Sequence, residues 1–287
     1  RFNRFNFSGN KPQCQIIMRL WHEFFGMKIA FWNVNSINAR LPNVLDWLSR
    51  ARPDVVCLQE LKCEAHKFPL EEIEALGYNC LVHGQKSYNG VAILSKFPLE
   101  EERRALPLSE EDEQSRYLES IISLPNGTAM RVICVYCPNG NPIDTPKFDY
   151  KLAWMDRLRN HVTNLLKFEE PMVICGDWNI IPRPDDCFDP KAWENDALFH
   201  PKSRQKWHEL LNLGLTDAFM ALDARGHQYT FWDYQGGAWP RNNGIHIDTL
   251  LLSPQAADKV RAIKIWRDER EVVKASDHVP VSADFEI

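Results

Sequence analysis

Short apolar runs that stop abruptly on amide, carboxylate or imidazole side chains constrain this chain more than any other feature. KIAFWNV (28–34) runs out at Asn33 and Asn35, DVVCLQE (54–60) at Gln59 and Glu60, and EPMVICGDWN at Asp177 and Asn179. Asp248 lies inside GIHIDTLLL, and Ser276, Asp277 and His278 precede VPVSADFEI (279–287). Short apolar runs with polar ends read as buried strands, and loops at strand ends are where α/β scaffolds hold ligands. A single strand-end Asp is ordinarily a cap or turn former. Five such stops, each carrying Asn, Asp, Glu or His, are harder to explain that way. Brought together, they supply oxygen ligands for a hard cation and one imidazole. Magnesium suits them better than zinc, since no pair of His and no Cys cluster accompanies them.

Helical patterns alternate with these strands. LPNVLDWLSRA (41–51) places Leu41, Val44, Leu45 and Leu48 on one face, FPLEEIEAL (68–76) stops at Gly77, and 147–168 is the longest helix. YNCLVHG and GVAILSK read as strands. YLESIISL and TAMRVICVY flank the hairpin signal Pro125-Asn126-Gly127. YTFWD (229–233), HIDTLLLS (246–253) and AIKIW (262–266) are further expected strands. No composition shift marks a linker, so 27–287 is expected to be one α/β domain.

Composition narrows the class. At 287 residues and 44% hydrophobic, the chain can bury a full core. Its 13 Gly and 18 Pro are too few for a collagen-like or low-complexity protein, and no apolar run is long enough to span a membrane. With 34 basic against 39 acidic residues the net charge is -5, which mildly disfavours a nucleic-acid binder. Carboxylates gathered for a metal can hide a small basic face within such a total. Eight cysteines are too sparse for a disulfide scaffold. Cys57, Cys134 and Cys175 sit in apolar runs as small hydrophobes, and the Cys134/Cys137 CxxC lacks a second pair at zinc-ribbon spacing. Reduced thiols imply a reducing compartment, here taken as the cytoplasm.

Residues 1–26 differ from the rest. They repeat RFN, carry no acidic residue before Glu23 and contain no signal-peptide core. They are expected to be a disordered or dispensable extension, with an organelle transit segment as the alternative. Met27 opens the catalytic region.

WNVNSINAR (32–40), LQELK (58–62), VYCPNGNP (135–142), GDWNIIP (176–182), FWDYQ (231–235), NNGIHIDTLLLS (242–253) and SDHVPV (276–281) stand in the order found in exonuclease III-type abasic-site endonucleases. The chain resembles that branch of the endonuclease/exonuclease/phosphatase superfamily over essentially 28–287. The resemblance implies a four-layer α/β sandwich, two packed mixed β-sheets flanked by helices, with the site at one edge. It implies metal ligation centred on Glu60, helped by Asn33 and Asp277, in a set that also includes Asp177, Asn179 and His278. It implies that Asp177 orients or deprotonates water, that Asn179 meets the phosphate, and that His278, paired with Asp248, stands at the scissile phosphate. Tyr136 would contact the phosphate or leaving group.

Trp232 matches an aromatic that packs on a base-less deoxyribose, with Phe231 and Trp239 beside it; its ordinary reading is a core tryptophan. Arg40, Lys62, Lys86, Arg103, Arg104 and Arg116 are candidate backbone-phosphate contacts, though the ordinary reading of each one singly is a solvated surface charge. The chain departs from the pattern at Asn38, a frequently basic position, and at His246, where relatives commonly carry a DNA-contacting Arg; His246 is still counted with Arg40, Phe231, Trp232 and Trp239 as a substrate-binding candidate. The implied enzyme is a Mg²⁺-dependent nuclease, with Mn²⁺ as substitute. It would cut 5′ to abasic sites in duplex DNA and trim damaged 3′ ends, acting as a monomer away from membranes. Three rivals remain: a phosphoinositide phosphatase or sphingomyelinase of the same superfamily, a non-specific DNase, and a non-catalytic nucleic-acid-binding module.

Overall fold

Strand β1 (Gly26–Asn33) shows how the layers arise. Ile29 and Phe31 point one way and Ala30 and Trp32 the other, all four fully or almost fully buried. A strand buried on both faces must lie in a sheet covered on both sides. Ile29 and Phe31 join Val55, Cys57 and Ile93 against Val132, Cys134, Val173, Cys175 and Leu250 between two sheets. Ala30 and Trp32 pack outward with Val44, Trp47 and Leu48 of helix α1 (Ile37–Ala51). The computed structural model describes residues 26–107 and 112–287.

Among the described residues, the first sheet contains β2 (Val55–Gln59), β3 (Asn79–His83), β4 (Val91–Ser95), β11 (Val260–Ile265) and β12 (Val281–Glu286) with β1, in the order β11-β12-β1-β2-β4-β3. The second contains β5 (Leu99–Arg103), β6 (Tyr117–Ser123), β7 (Ala129–Tyr136), β8 (Met172–Asp177), β9 (Thr216–Asp217) and β10 (Asp248–Leu252), in the order β5-β6-β7-β8-β10-β9. Besides α1 the helices are α2 (Leu70–Glu74), α3 (Pro146–Leu165), α4 (Pro201–Leu211), α5 (Ala218–Leu222) and α6 (Pro254–Ala257). Trp154 and Leu158 of α3 and Trp207 of α4 cover the outer face of the second sheet. The architecture is the four-layer sandwich that the resemblance implies. None of the described helices is long and apolar enough to cross a membrane.

Register explains why the polar stops meet. β1 and β2 are parallel with Asn33 opposite Gln59, and β7 and β8 are parallel with Tyr136 opposite Asp177. β10 runs antiparallel to β8 with Asp248 opposite Asp177. Strand ends carrying Asn33, Tyr136 and Asp177 therefore open on the same edge as the strand start carrying Asp248. Gly176 lets β8 lie close against β7 there: a Cβ on it would fall 2.0 Å from the Val135 carbonyl oxygen of the paired strand, and 3.1 Å from Gln59 Nε2 of the other sheet.

Several expectations need correction. YTFWD is no regular strand; Phe231 makes only isolated bridges to Ile245 and His278. The first helix begins at Ile37, because Ser36 accepts the Ala39 N–H as its N-cap, and Pro42 lies inside it. α2 is shorter than the apolar spacing of 68–76 implied. β5 and helices α4, α5 and α6 had no expectation. The proposed extension 1–26 lies outside the described residues except for Gly26, which pairs with Glu286 in β1.

Candidate active site

Asn33, at the end of β1, donates through Nδ2 to Glu60 Oε1 at 2.8 Å and to Asp177 Oδ2 at 2.9 Å. It therefore stitches the two sheets together at the site. Its oxygen accepts the Asn35 N–H at 3.0 Å, so in this arrangement Asn33 aligns the carboxylates through its NH₂. Glu60 has a φ of 53°, a conformation that costs a non-glycine residue about 1–3 kcal/mol and that clusters at functional sites. Asn35, Lys62 and Asn179 share such positive φ values. Lys62 Nζ lies 2.8 Å from Glu60 Oε2 and 2.5 Å from Asn35 Oδ1. Burial pushes the Glu60 carboxyl up, but Lys62 and the Asn33 bond outweigh burial and hold it below its ordinary value.

Asp177 closes β8 and is 1% exposed. Its Oδ1 accepts the Asn179 N–H at 2.8 Å, and Oδ2 accepts from Asn33. Burial, with the charges of Asp248 and Glu60 added, raises its pKa to about 7 against the opposing pull of His278. Asn179 donates to the Cys137 carbonyl at 2.9 Å and accepts from Asn139 at 3.2 Å. Tyr136 lies beneath the Arg116 guanidinium, 4.6 Å from its ring centroid. Burial and then the Glu60 and Asp177 charges raise its phenol well above the ordinary value, so the hydroxyl remains a donor.

His278 is brought in by the turn before β12. Ser276 donates to the Asn33 carbonyl at 2.8 Å, and the Trp32 indole donates to the His278 carbonyl at 3.0 Å. Its Nδ1 lies 2.9 Å from Asp248 Oδ2, and its Nε2 is 3.8 Å from Asp177 Oδ2. Burial alone would lower the imidazole, but the charges of Asp248 and then Asp177 raise it to about 10. His278 is therefore a buried cation at neutral pH.

Glu60, Asp177 and His278 offer ligand atoms all within 4.8 Å of one another. The two carboxylates are the donor chemistry that a hard divalent cation takes, and the excess negative charge felt by Asp177 is what such a cation would relieve. An imidazolium has no free lone pair, so His278 suits the phosphate better than the metal. Asp277 stands apart from this trio and accepts from Asn35 Nδ2 at 3.0 Å.

The outlying candidates divide. Phe231 packs edge-to-face on His278, 4.8 Å between centroids, and remains partly exposed beside buried Ile245 and Ile247. Trp232 is 0% exposed and packs on Trp239 and Tyr229. With Arg267 also 4.8 Å from its ring centroid, it belongs to a separate apolar cluster and presents no free face to a sugar. Trp239 is half-buried under Arg267, 4.7 Å from its centroid. His246 is also corrected: it is buried, its Nδ1 engages the Gln228 carbonyl at 2.7 Å and its ring packs on Phe219. Arg40 donates to the Tyr234 hydroxyl at 2.9 Å. Asn38 and Lys86 are exposed, while Arg104 is held by the Val82 carbonyl at 2.7 Å.

Thr230, which donates to Asp248 at 2.6 Å, and Lys151, which is wholly buried behind Asn179, were missed by sequence reasoning. Lys151 had a readable signal. It interrupts an apolar helical row that continues through Trp154, Met155, Leu158 and Val162.

Comparison with known proteins gives the family and supports the fold. The profile described as Endonuclease/Exonuclease/phosphatase family matches residues 30–278. Exodeoxyribonuclease III of Haemophilus influenzae is 32% identical, covering 90% of this chain and all of that protein. A 3′ phosphatase, NExo, from Neisseria, solved bound to a product DNA hairpin, is 38% identical with a TM-score of 0.86, covering 91% of this chain and all of its own. An AP endonuclease from Archaeoglobus fulgidus is 35% identical with the same TM-score and the same coverage.

Proposed function

Because the chain belongs to the endonuclease/exonuclease/phosphatase family, we propose that it is a Mg²⁺-dependent DNA-repair nuclease that cuts duplex DNA 5′ to abasic sites and trims 3′ ends. It is a phosphodiester hydrolase, and 27–287 would be its catalytic domain, acting as a monomer in the cytoplasm. The observation that carries the reading is the Asp248–His278–Asp177 row. It sets the buried His278 ring, backed by Asp248 at 2.9 Å, 3.8 Å from the Asp177 carboxylate, whose pKa burial raises. Hydrolysis of a phosphodiester needs an acceptor for the water's proton and a donor for the phosphate oxygens, and this row holds both.

Asp177 is the acceptor. N–H groups of Asn179 and Asn33 pin both of its oxygens, and its pKa of about 7 leaves it largely ionised above neutral pH. His278 donates through Nε2 to a non-bridging phosphate oxygen, with Asp248 fixing its tautomer and charge. Tyr136 and Asn179 donate to the same phosphate. Glu60 and Asp177 would hold the divalent cation, which would supply Lewis-acid neutralisation of phosphate charge. The part-exposed Phe231 ring, backed by Ile245, offers an apolar surface next to His278 that a bare sugar can meet and a stacked base cannot reach.

Matched intact and abasic duplexes, offered with Mg²⁺ alongside an inositol polyphosphate, test this reading. Preferential scission of the abasic duplex is expected. Release of phosphate from the inositol compound without scission would favour the phosphatase rival.

A further inference from the structure

The row of apolar residues along α3 is broken by one charge. Phe148, Met155, Leu158 and Val162 recur at helical spacing on the buried face, and Lys151 stands in that row at 0% exposure. An aliphatic side chain would fill the space at no electrostatic cost, whereas a buried ammonium must be compensated by its partners. Both hydrogen-bond partners are main-chain carbonyls: Nζ donates to Asn139 O at 3.0 Å and to Asn179 O at 2.5 Å. The chain makes room for it at Gly140, whose φ is +90° and whose added Cβ would fall 2.7 Å from Lys151 Cδ.

Those carbonyls belong to the loops that leave β7 and β8, the strands that end on Tyr136 and Asp177. Asn139 Nδ2 donates to Asn179 Oδ1 at 3.2 Å. Asn179, held at a φ of 47°, places its own N–H on Asp177 Oδ1 at 2.8 Å. A continuous set of hydrogen bonds therefore runs from the helix, through Asn139 and Asn179, to the carboxylate facing His278.

We propose that Lys151 is a positioning residue for phosphodiester cleavage, clamping the Asn139 and Asn179 loops from behind so that Asn179 and Asp177 keep the geometry of attack. The role rests on the nuclease reading above. It requires no contact between Lys151 and substrate.

Lys151→Met keeps the stem and removes the donors and the charge. Its kcat on an abasic duplex should fall by on the order of 10²-fold, the scale of a small misplacement of reacting groups. KM, and the affinity for the duplex in EDTA, should be essentially unchanged, with one cooperative thermal transition retained. A folded Lys151→Met chain with wild-type kcat would overturn the role and leave Lys151 a structural residue. If that chain does not fold, Asn139→Ala decides. Asn139 is exposed, and removing its side chain breaks one link of the clamp. A smaller loss confined to kcat supports the clamp, and an unchanged kcat contradicts it. A wild-type chain unable to cleave the abasic duplex would overturn the nuclease reading and the clamp with it. Wild-type cleavage matched by Lys151→Met would overturn the clamp alone.

Discussion

His278 and Asp248 meet side on: Nδ1 lies 3.0 Å from Oδ1 and 2.9 Å from Oδ2, while Thr230 donates to Oδ2 at 2.6 Å. Both residues are almost wholly buried. The pair therefore holds its charges in a low-dielectric setting, where losing one partner exposes the other to an uncompensated cost.

The first prediction follows from that pair. His278→Ala should lower turnover on abasic duplex by on the order of 10²-fold or more, the scale of losing one preorganised donor. Asp248→Asn removes the charge that holds the imidazole at about 10, so the alkaline limb of the pH–rate profile should move to lower pH. The double variant should be little worse than His278→Ala, because the two act as a unit. An unmoved alkaline limb, or additive losses, would make Asp248 a structural residue.

The same pair links stability to pH. The folded imidazole titrates at about 10 against an ordinary value of 6.5. Its stabilising contribution is therefore complete below pH 6.5 and disappears as pH rises through about 10. The Tm deficit of His278→Ala relative to wild type, measured by circular dichroism in EDTA, should be largest at pH 6 and shrink toward pH 10. A deficit independent of pH would contradict the ion pairing.

Glu60→Gln keeps the shape that accepts from Asn33 and removes the negative charge paired with Lys62. Half-maximal activity should need more Mg²⁺, and the Kd for Mn²⁺ by electron paramagnetic resonance should rise, with Tm held. Unchanged metal dependence would move the ligand elsewhere.

Phe231 and Trp232, neighbours in sequence, should fail differently. Phe231→Ala should narrow the discrimination between abasic and intact duplex, because its ring faces the site beside His278. Trp232→Ala should cost about 3–5 kcal/mol of stability, the usual range for removing a buried tryptophan, since the ring is 0% exposed. Equal losses of discrimination at matched stability would contradict this assignment.

A chain beginning at Met27 should melt and cleave like the full chain, since the matched motifs start beyond it. Loss of folding or activity would show that 1–26 is needed.

Strand ends were the legible part of this molecule. Asn33, Glu60, Asp177, Asp248 and His278 stand out as a set, because one polar residue in or beside an apolar run is ordinarily a cap or turn former and five together are not. What was hidden depends on which face of a segment is covered, and that is decided by distant chain. Trp232 and Phe231 have similar chemistry and adjacent numbers. The isolated bridges of Phe231 to Ile245 and His278 put its ring against the site, and Trp239 and Tyr229 enclose Trp232. His246, expected at the substrate, is instead enclosed by Phe219 and the Gln228 carbonyl. β5, made largely of Glu and Arg at a sheet edge, lacks the apolar alternation that marks a strand.

Mapping the cut is the most direct test of the central claim. A duplex labelled at one 5′ end and carrying a single abasic-site analogue should be incubated with the protein in Mg²⁺ and, separately, in EDTA. The account predicts one Mg²⁺-dependent product ending immediately 5′ to the lesion, with a 3′-hydroxyl that a polymerase can extend. Cleavage on the 3′ side, equal cutting of the intact duplex, or undiminished cutting in EDTA would contradict it.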